Sequence, residues 1–230
     1  MTDKTARLGA WPFARVGGLA CLGFALIIVG ANLILEPAGM PLVGADIGEV
    51  DTFFTTQAGF ADLSSACTPA AWVCVIVFGA AAVATIWPRE RPLGSAWSLV
   101  GFAGLLLQNG TFVGVIALRL ALSATTDHTP AATAGLWAMH NALFTLNGTF
   151  LATAMLGLSV GGLRTGVIRR WHAILGFTAA AGQFTSATIA PLVIDHTSPL
   201  ALLSLVSWLL WVAWLVAYGI TLLRLQPDAA

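Results

Sequence analysis

Charge is scarce in this chain: Asp, Glu, Lys and Arg make up 9% of the 230 residues. Soluble globular domains carry about 25%. There is one lysine, one tyrosine and three cysteines. No nucleic-acid partner is expected, because the ten basic residues are few and membrane orientation accounts for them; the net charge of zero hides an uneven distribution and says nothing of partners. Three cysteines exclude a disulfide framework. Cys67 and Cys74 are seven residues apart around a helix start, which separates their Cα atoms by about 10 Å, too far for a bridge. Free buried thiols are the expectation. No zinc spacing such as His-Glu-x-x-His occurs, and no Asp or Glu falls inside the long apolar stretches.

What is abundant is hydrophobicity, at 58% of residues. Crossing a bilayer core takes about 20 apolar residues in a helix. Six stretches meet that length, at about 16–35, 70–87, 96–118, 132–160, 172–194 and 199–223. The fold class expected is all-α, a single polytopic six-helix transmembrane bundle over 1–230, with a long outer loop at 37–67.

The basic residues orient it. Lys4, Arg7, Arg15, Arg89, Arg91, Arg164, Arg169, Arg170 and Arg224 all fall in joints on one side, leaving Arg119 as the exception. The positive-inside rule puts that side, and both termini, in the cytoplasm. The opposite joints hold Glu36, Asp46, Glu49, Asp51, Asp62, Asp127 and Asp195. Trp11, Trp87, Trp97 and Trp171 mark the inner interface and Trp72 the outer one. Each helix entering from outside is expected to start at a hydroxyl–proline pair: Thr68-Pro69, Thr129-Pro130 and Ser198-Pro199. The first stretch ends in Leu35-Glu36-Pro37 without a small-x-small site, so it reads as an uncleaved span, not a signal peptide. Nine Arg against one Lys, with heavy Ala and Gly use, suggests a GC-rich bacterial genome and a plasma-membrane location.

Within the outer loop, Val50, Phe53 and Phe60 recur at helical spacing, as a short helix lying on the outer leaflet would; an ordinary cap over the bundle is the plainer reading. Two tetrapeptides repeat: Asn109-Gly110-Thr111-Phe112 and Asn147-Gly148-Thr149-Phe150. Both lie near mid-membrane, about 13 and about 15 residues into their stretches at about 1.5 Å per residue. Gln108 adjoins the first copy, and Gln183 has a similar depth in the fifth stretch. A polar layer at the midplane follows. It serves either as glue between helices or as the lining of a ligand cavity. Amide bonds in membranes average only about 0.6 kcal/mol, a modest return for four amides. The candidate ligand-binding residues are Gln108, Asn109, Arg119, His140, Asn141, Asn147, Gln183, Trp208 and Trp211. His140 and Arg119 are ionisable groups at membrane depth, where such groups are functional candidates. Trp208, Trp211, Trp214 and Tyr218 form an aromatic stripe suited to helix packing or to an isoprenoid, quinone or other lipid-like ligand.

Asp127-His128-Thr129 recurs as Asp195-His196-Thr197 at outer helix ends. His and carboxylate are competent zinc ligands, so Asp127, His128, Asp195 and His196 are candidate metal ligands; loop and cap chemistry is the plainer role.

From Phe144-Thr145-Leu146-Asn147-Gly148 through Arg169-Arg170-Trp171-His172 the chain resembles uncharacterised six-span integral membrane proteins of GC-rich bacteria. The resemblance is one of general style and implies no substrate, cofactor or catalytic residue. Three readings stand, in this order: a protein that binds a lipophilic small molecule or another membrane protein within the lipid bilayer; a small-molecule transporter; and a membrane-embedded enzyme with an Asp/His site at the outer surface.

Overall fold

The computed structural model describes residues 12–124, 129–192, 194 and 200–225. They fold into seven α-helices: α1 (Phe13–Leu35), α2 (Ile47–Thr56), α3 (Ala58–Glu90), α4 (Trp97–Ala124), α5 (Pro130–Arg164), α6 (Arg170–Thr188) and α7 (Ala201–Arg224). Short 3-10 turns follow α3 and α6, at Arg91–Leu93 and Ala190–Leu192. Among the described residues, five segments are long and apolar enough to cross a membrane: α1, Ala58–Leu93, α4, α5 and Leu202–Arg224 of α7. The fifth apolar stretch of the sequence is not among them. Its helix, α6, has 19 residues and is rich in Ala, Gly and Thr.

The six longer helices form a ring in chain order. α3 packs on α1, α4 on α3, α5 on α4, α6 on α5 and α7 on α6, and α7 closes the ring on α1. Small residues permit the closure. A Cβ at Gly18 of α1 would lie 2.7 Å from the Gly219 carbonyl of α7. Above that contact Cys21 Sγ donates to Leu215 O at 3.1 Å, and Phe24 meets Trp211 edge-on at 5.8 Å.

The second membrane helix begins earlier than expected. Thr68-Pro69 is not its start; Pro69 lies inside α3, which begins at Ala58. Proline removes the amide that would bond the carbonyl four residues back, here that of Ser65. The Thr68 hydroxyl donates to that same Ser65 O at 2.6 Å, so the helix continues through the proline. Thr129-Pro130 does start a helix, with Thr129 Oγ1 accepting from Ala132 N at 3.4 Å. Ser198-Pro199 lies outside the described residues.

The long loop expected at 37–67 is therefore partly helical. Asp46 caps α2 by accepting from Gly48 N at 2.8 Å. Val50, Phe53 and Phe54 of α2 are buried with Leu35, Ala61, Leu122 and Trp137, so α2 caps α1, α3, α4 and α5 at one end of the bundle. Phe60 belongs to α3 and is exposed. Among the cysteines, Cys21 is buried, Cys74 half-buried and Cys67 exposed, which corrects the expectation for Cys67.

At the opposite end of the bundle, Ala96 precedes α4 and has no side-chain acceptor to cap it. Glu90, the last residue of α3, supplies one. Its fully buried carboxylate accepts from Trp97 N at 2.8 Å, Ser98 N at 3.0 Å, Ser98 Oγ at 2.6 Å and Ser95 Oγ at 3.0 Å. All four contacts are donors, which is what an ionised carboxyl requires.

Candidate functional site

Of the polar residues picked from the sequence, Gln108, Arg119, His140 and Asn147 lie along the seam between α4 and α5, while Asn109 and Gln183 turn to other helices. Glycine makes the seam tight. A Cβ at Gly101 would lie 2.6 Å from Leu158 N, and one at Gly104 would lie 2.5 Å from Ala154 N. Further out, a Cβ at Gly114 would lie 3.0 Å from Leu143 Cδ1, and Arg119 bonds His140. These pairings fix the antiparallel register. They bring the two Asn-Gly-Thr-Phe copies to the same depth, with Gly110 level with Gly148.

Helical spacing then decides which amides face each other. Gln108 is one turn beyond Gly104 and two beyond Gly101, so it lies on the α4 stripe that meets α5. Asn147 is two turns before Ala154, on the α5 stripe that meets α4. Both are buried, at 5% and 4% exposure. Gln108 Oε1 and Asn147 Oδ1 accept no hydrogen bond. Asn109 turns toward α3, donating Nδ2 to Trp72 O at 3.3 Å, while its own Oδ1 accepts none. Gln183 turns toward α7, donating Nε2 to Ser204 O at 3.3 Å. Gly148 admits Gln183, whose Oε1 lies 3.1 Å from where a Cβ would be. Two of the four amides thus act as interhelical glue by their nitrogens. Gln108 and Asn147 leave buried oxygens on the seam itself.

Toward the end capped by α2 the seam becomes cationic and aromatic. Arg119 is half-buried and donates Nε–H to His140 Nε2 at 3.1 Å. His140 Nδ1 lies 3.2 Å from Asn141 Oδ1. An imidazole that accepts at Nε2 and donates at Nδ1 is neutral, with its hydrogen on Nδ1. Trp137 stacks on this ring at 4.6 Å, and Phe144 lies beyond it at 6.0 Å. Phe54 of α2 meets Trp137 edge-on at 6.4 Å.

The aromatic stripe of α7 takes the packing role. Trp211, Trp214 and Tyr218 sit inside the main core, and Trp208 packs against its edge beside Trp211 at 6.2 Å. Trp214 Nε1 donates to Ser159 Oγ at 3.0 Å and Tyr218 donates to Leu158 O at 3.3 Å. Sequence reasoning missed their neighbour His172. It is 1% exposed and donates Nε2–H to Trp214 O at 3.1 Å. The signal was its place just inside α6, where a histidine has no ready access to water.

All four proposed metal ligands, Asp127, His128, Asp195 and His196, lie outside the described residues. Among the described residues no group of three His, Cys, Asp or Glu side chains is placed to hold a metal ion. No family model, curated protein or solved structure matches this chain.

Proposed function

We propose that this chain is a six-span integral protein of a bacterial plasma membrane, with both termini in the cytoplasm, that binds a lipophilic small molecule at the α4–α5 seam. Five apolar helices support the membrane setting. The position of α6, between α5 and α7 in a closed ring, supports counting it as the sixth span. Arg89, Arg91, Arg164, Arg169, Arg170 and Arg224 gather at the end of the bundle where α3, α5 and α7 finish. That distribution supports the orientation.

One observation carries the binding reading: Gln108 Oε1 and Asn147 Oδ1 are buried on facing stripes of one seam without a donor. Burying a polar group unbonded costs about 1–3 kcal/mol by protein mutational measures. Had stability alone shaped the seam, leucine would serve better at both positions. The ligand class follows from the atoms left over. Two carbonyl oxygens call for a donor, so the molecule is apolar with a hydroxyl or N–H group.

The test is native mass spectrometry on the full chain released from gentle detergent, beside its Gln108→Leu and Asn147→Leu variants. A stoichiometric added mass of lipid-like size is expected in the parent and absent from both variants. The variants are expected to melt at equal or higher temperature, because apolar replacements remove an unmet polar atom. A bare parent mass, or variants that melt lower and keep the added mass, would return these amides to a structural role.

A further inference from the structure

A second set of unbonded polar atoms lies at the outer end of the same seam. Ser123 Oγ, Thr133 Oγ1 and Trp137 Nε1 are buried and without a hydrogen-bond partner. Thr133 is 1% exposed and Trp137 2%. Thr133, Trp137 and His140 follow one another at about one turn each, so they share one face of α5. The register set by Arg119 and His140 brings Ser123, one turn beyond Arg119, opposite the Thr133–Trp137 turn.

The chemistry of these groups is lopsided. Indole and guanidinium are donors only, and the two hydroxyls donate as readily as they accept. His140 is already used on both nitrogens and is neutral, so Arg119 is the one cation in the cluster. A cationic guest would meet that charge, and a hydrocarbon would leave the donors unmet. The complement of several donors around one guanidinium is an oxyanion. The surroundings add that it has a tail. Leu120 and Met139, next in sequence to Arg119 and His140, face outward at 45% and 56% exposure, which offers an apolar path away from the head. α2 closes the site from above through Phe54 and Val50.

We propose that Arg119, Ser123, Thr133 and Trp137 bind the oxyanion head of an amphiphile, a carboxylate or a phosphate monoester, beneath α2. This site is separate from the midplane amides and does not depend on the reading given for them.

The full chain in maltoside micelles, titrated with dodecyl phosphate and with dodecanoate, tests the assignment by saturable thermal stabilisation. Both amphiphiles are expected to bind, and dodecanol and dodecyltrimethylammonium to have no saturable effect. Arg119→Gln is expected to weaken binding by about tenfold or more, from loss of a charge-assisted contact. Thr133→Val changes no volume to speak of and serves where Arg119→Gln fails to fold; a weakening of about threefold or more is expected from one lost hydrogen bond. Trp137→Phe, which keeps the stack and drops the N–H, is expected to act alike. Gln108→Leu is expected to bind dodecyl phosphate normally, which separates this site from the other. The proposal is overturned if dodecanol or the ammonium amphiphile stabilises equally, or if the folded Thr133→Val and Trp137→Phe variants bind as the parent does. Inorganic phosphate binding as tightly as dodecyl phosphate would overturn the amphiphile and assign a soluble anion instead.

Discussion

Glu90 holds Ser98 twice, taking the hydroxyl hydrogen at 2.6 Å and the amide hydrogen at 3.0 Å. The last side chain of α3 thereby caps the first turn of α4, and the turn between them is fixed from inside. Gly161 of α5 lies close over this joint, where a Cβ would stand 3.3 Å from Glu90 Oε1. Glu90→Ala would strand the Trp97 and Ser98 amides in a dry place. A loss of about 2–3 kcal/mol is expected, read as a lowered midpoint in detergent unfolding. Glu90→Gln keeps one acceptor oxygen and is expected to lose less. Equal stability of all three proteins would show that water replaces the carboxylate there.

Two glycines on α4 make opposite predictions. Gly104 lies against the α5 backbone, so Gly104→Val forces the helices apart. A loss of about 3 kcal/mol or more is expected, since overpacking costs about 1–3 and here the obstacle is main chain. Gly110 has nothing within 4 Å of a Cβ. Gly110→Ala is expected to be neutral or stabilising by up to about 1 kcal/mol. Thermal unfolding of the two variants in parallel checks the packing of the seam.

Thr68 and Pro69 form a compensating pair. Thr68→Val alone leaves the Ser65 carbonyl without a donor and is expected to cost about 1 kcal/mol. Adding Pro69→Ala returns a backbone amide to that carbonyl, so the double variant is expected to recover the loss. A double-mutant cycle reads this as a coupling energy. Simple additivity would mean that the hydroxyl does not stand in for the amide.

Cys67 gives a chemical handle on orientation. It is exposed in the third turn of α3, whereas Cys21 is buried and Cys74 half-buried. In intact cells a membrane-impermeant maleimide is expected to label Cys67 from outside, and Cys67→Ser is expected to abolish labelling. Labelling only in inside-out vesicles would reverse the proposed topology.

The sequence made the polar seam visible because water-seeking side chains stand out against apolar ones. Gln108, Asn109, His140, Asn141, Asn147 and Gln183, singled out as polar groups at depth, are all buried. The pairing of Arg119 with His140 was less open to view, because it depends on the register of two helices separated by a connection. Glu90 was missed for a plainer reason. It sits in an Arg-Glu-Arg joint that reads as a charged turn, and only the lack of a cap before Trp97 hinted that some acceptor had to fold back. The early start of α3 was hidden by Thr68-Pro69, which has the composition of a helix beginning. Composition shows that a proline has removed a donor; it does not show that its neighbour has replaced it. The aromatic stripe of α7 was seen, but its burial against α1, α3, α5 and α6 depends on closure of the ring.

That closure joins parts of the chain that lie far apart in sequence. The α1 face bearing Gly18, Cys21 and Phe24 meets α7, and Cys21 and Leu215 are 194 residues apart. The other neighbours in the ring follow one another in chain order. The α1–α7 seam is therefore the one whose contacts have the largest loop-closure entropy to repay.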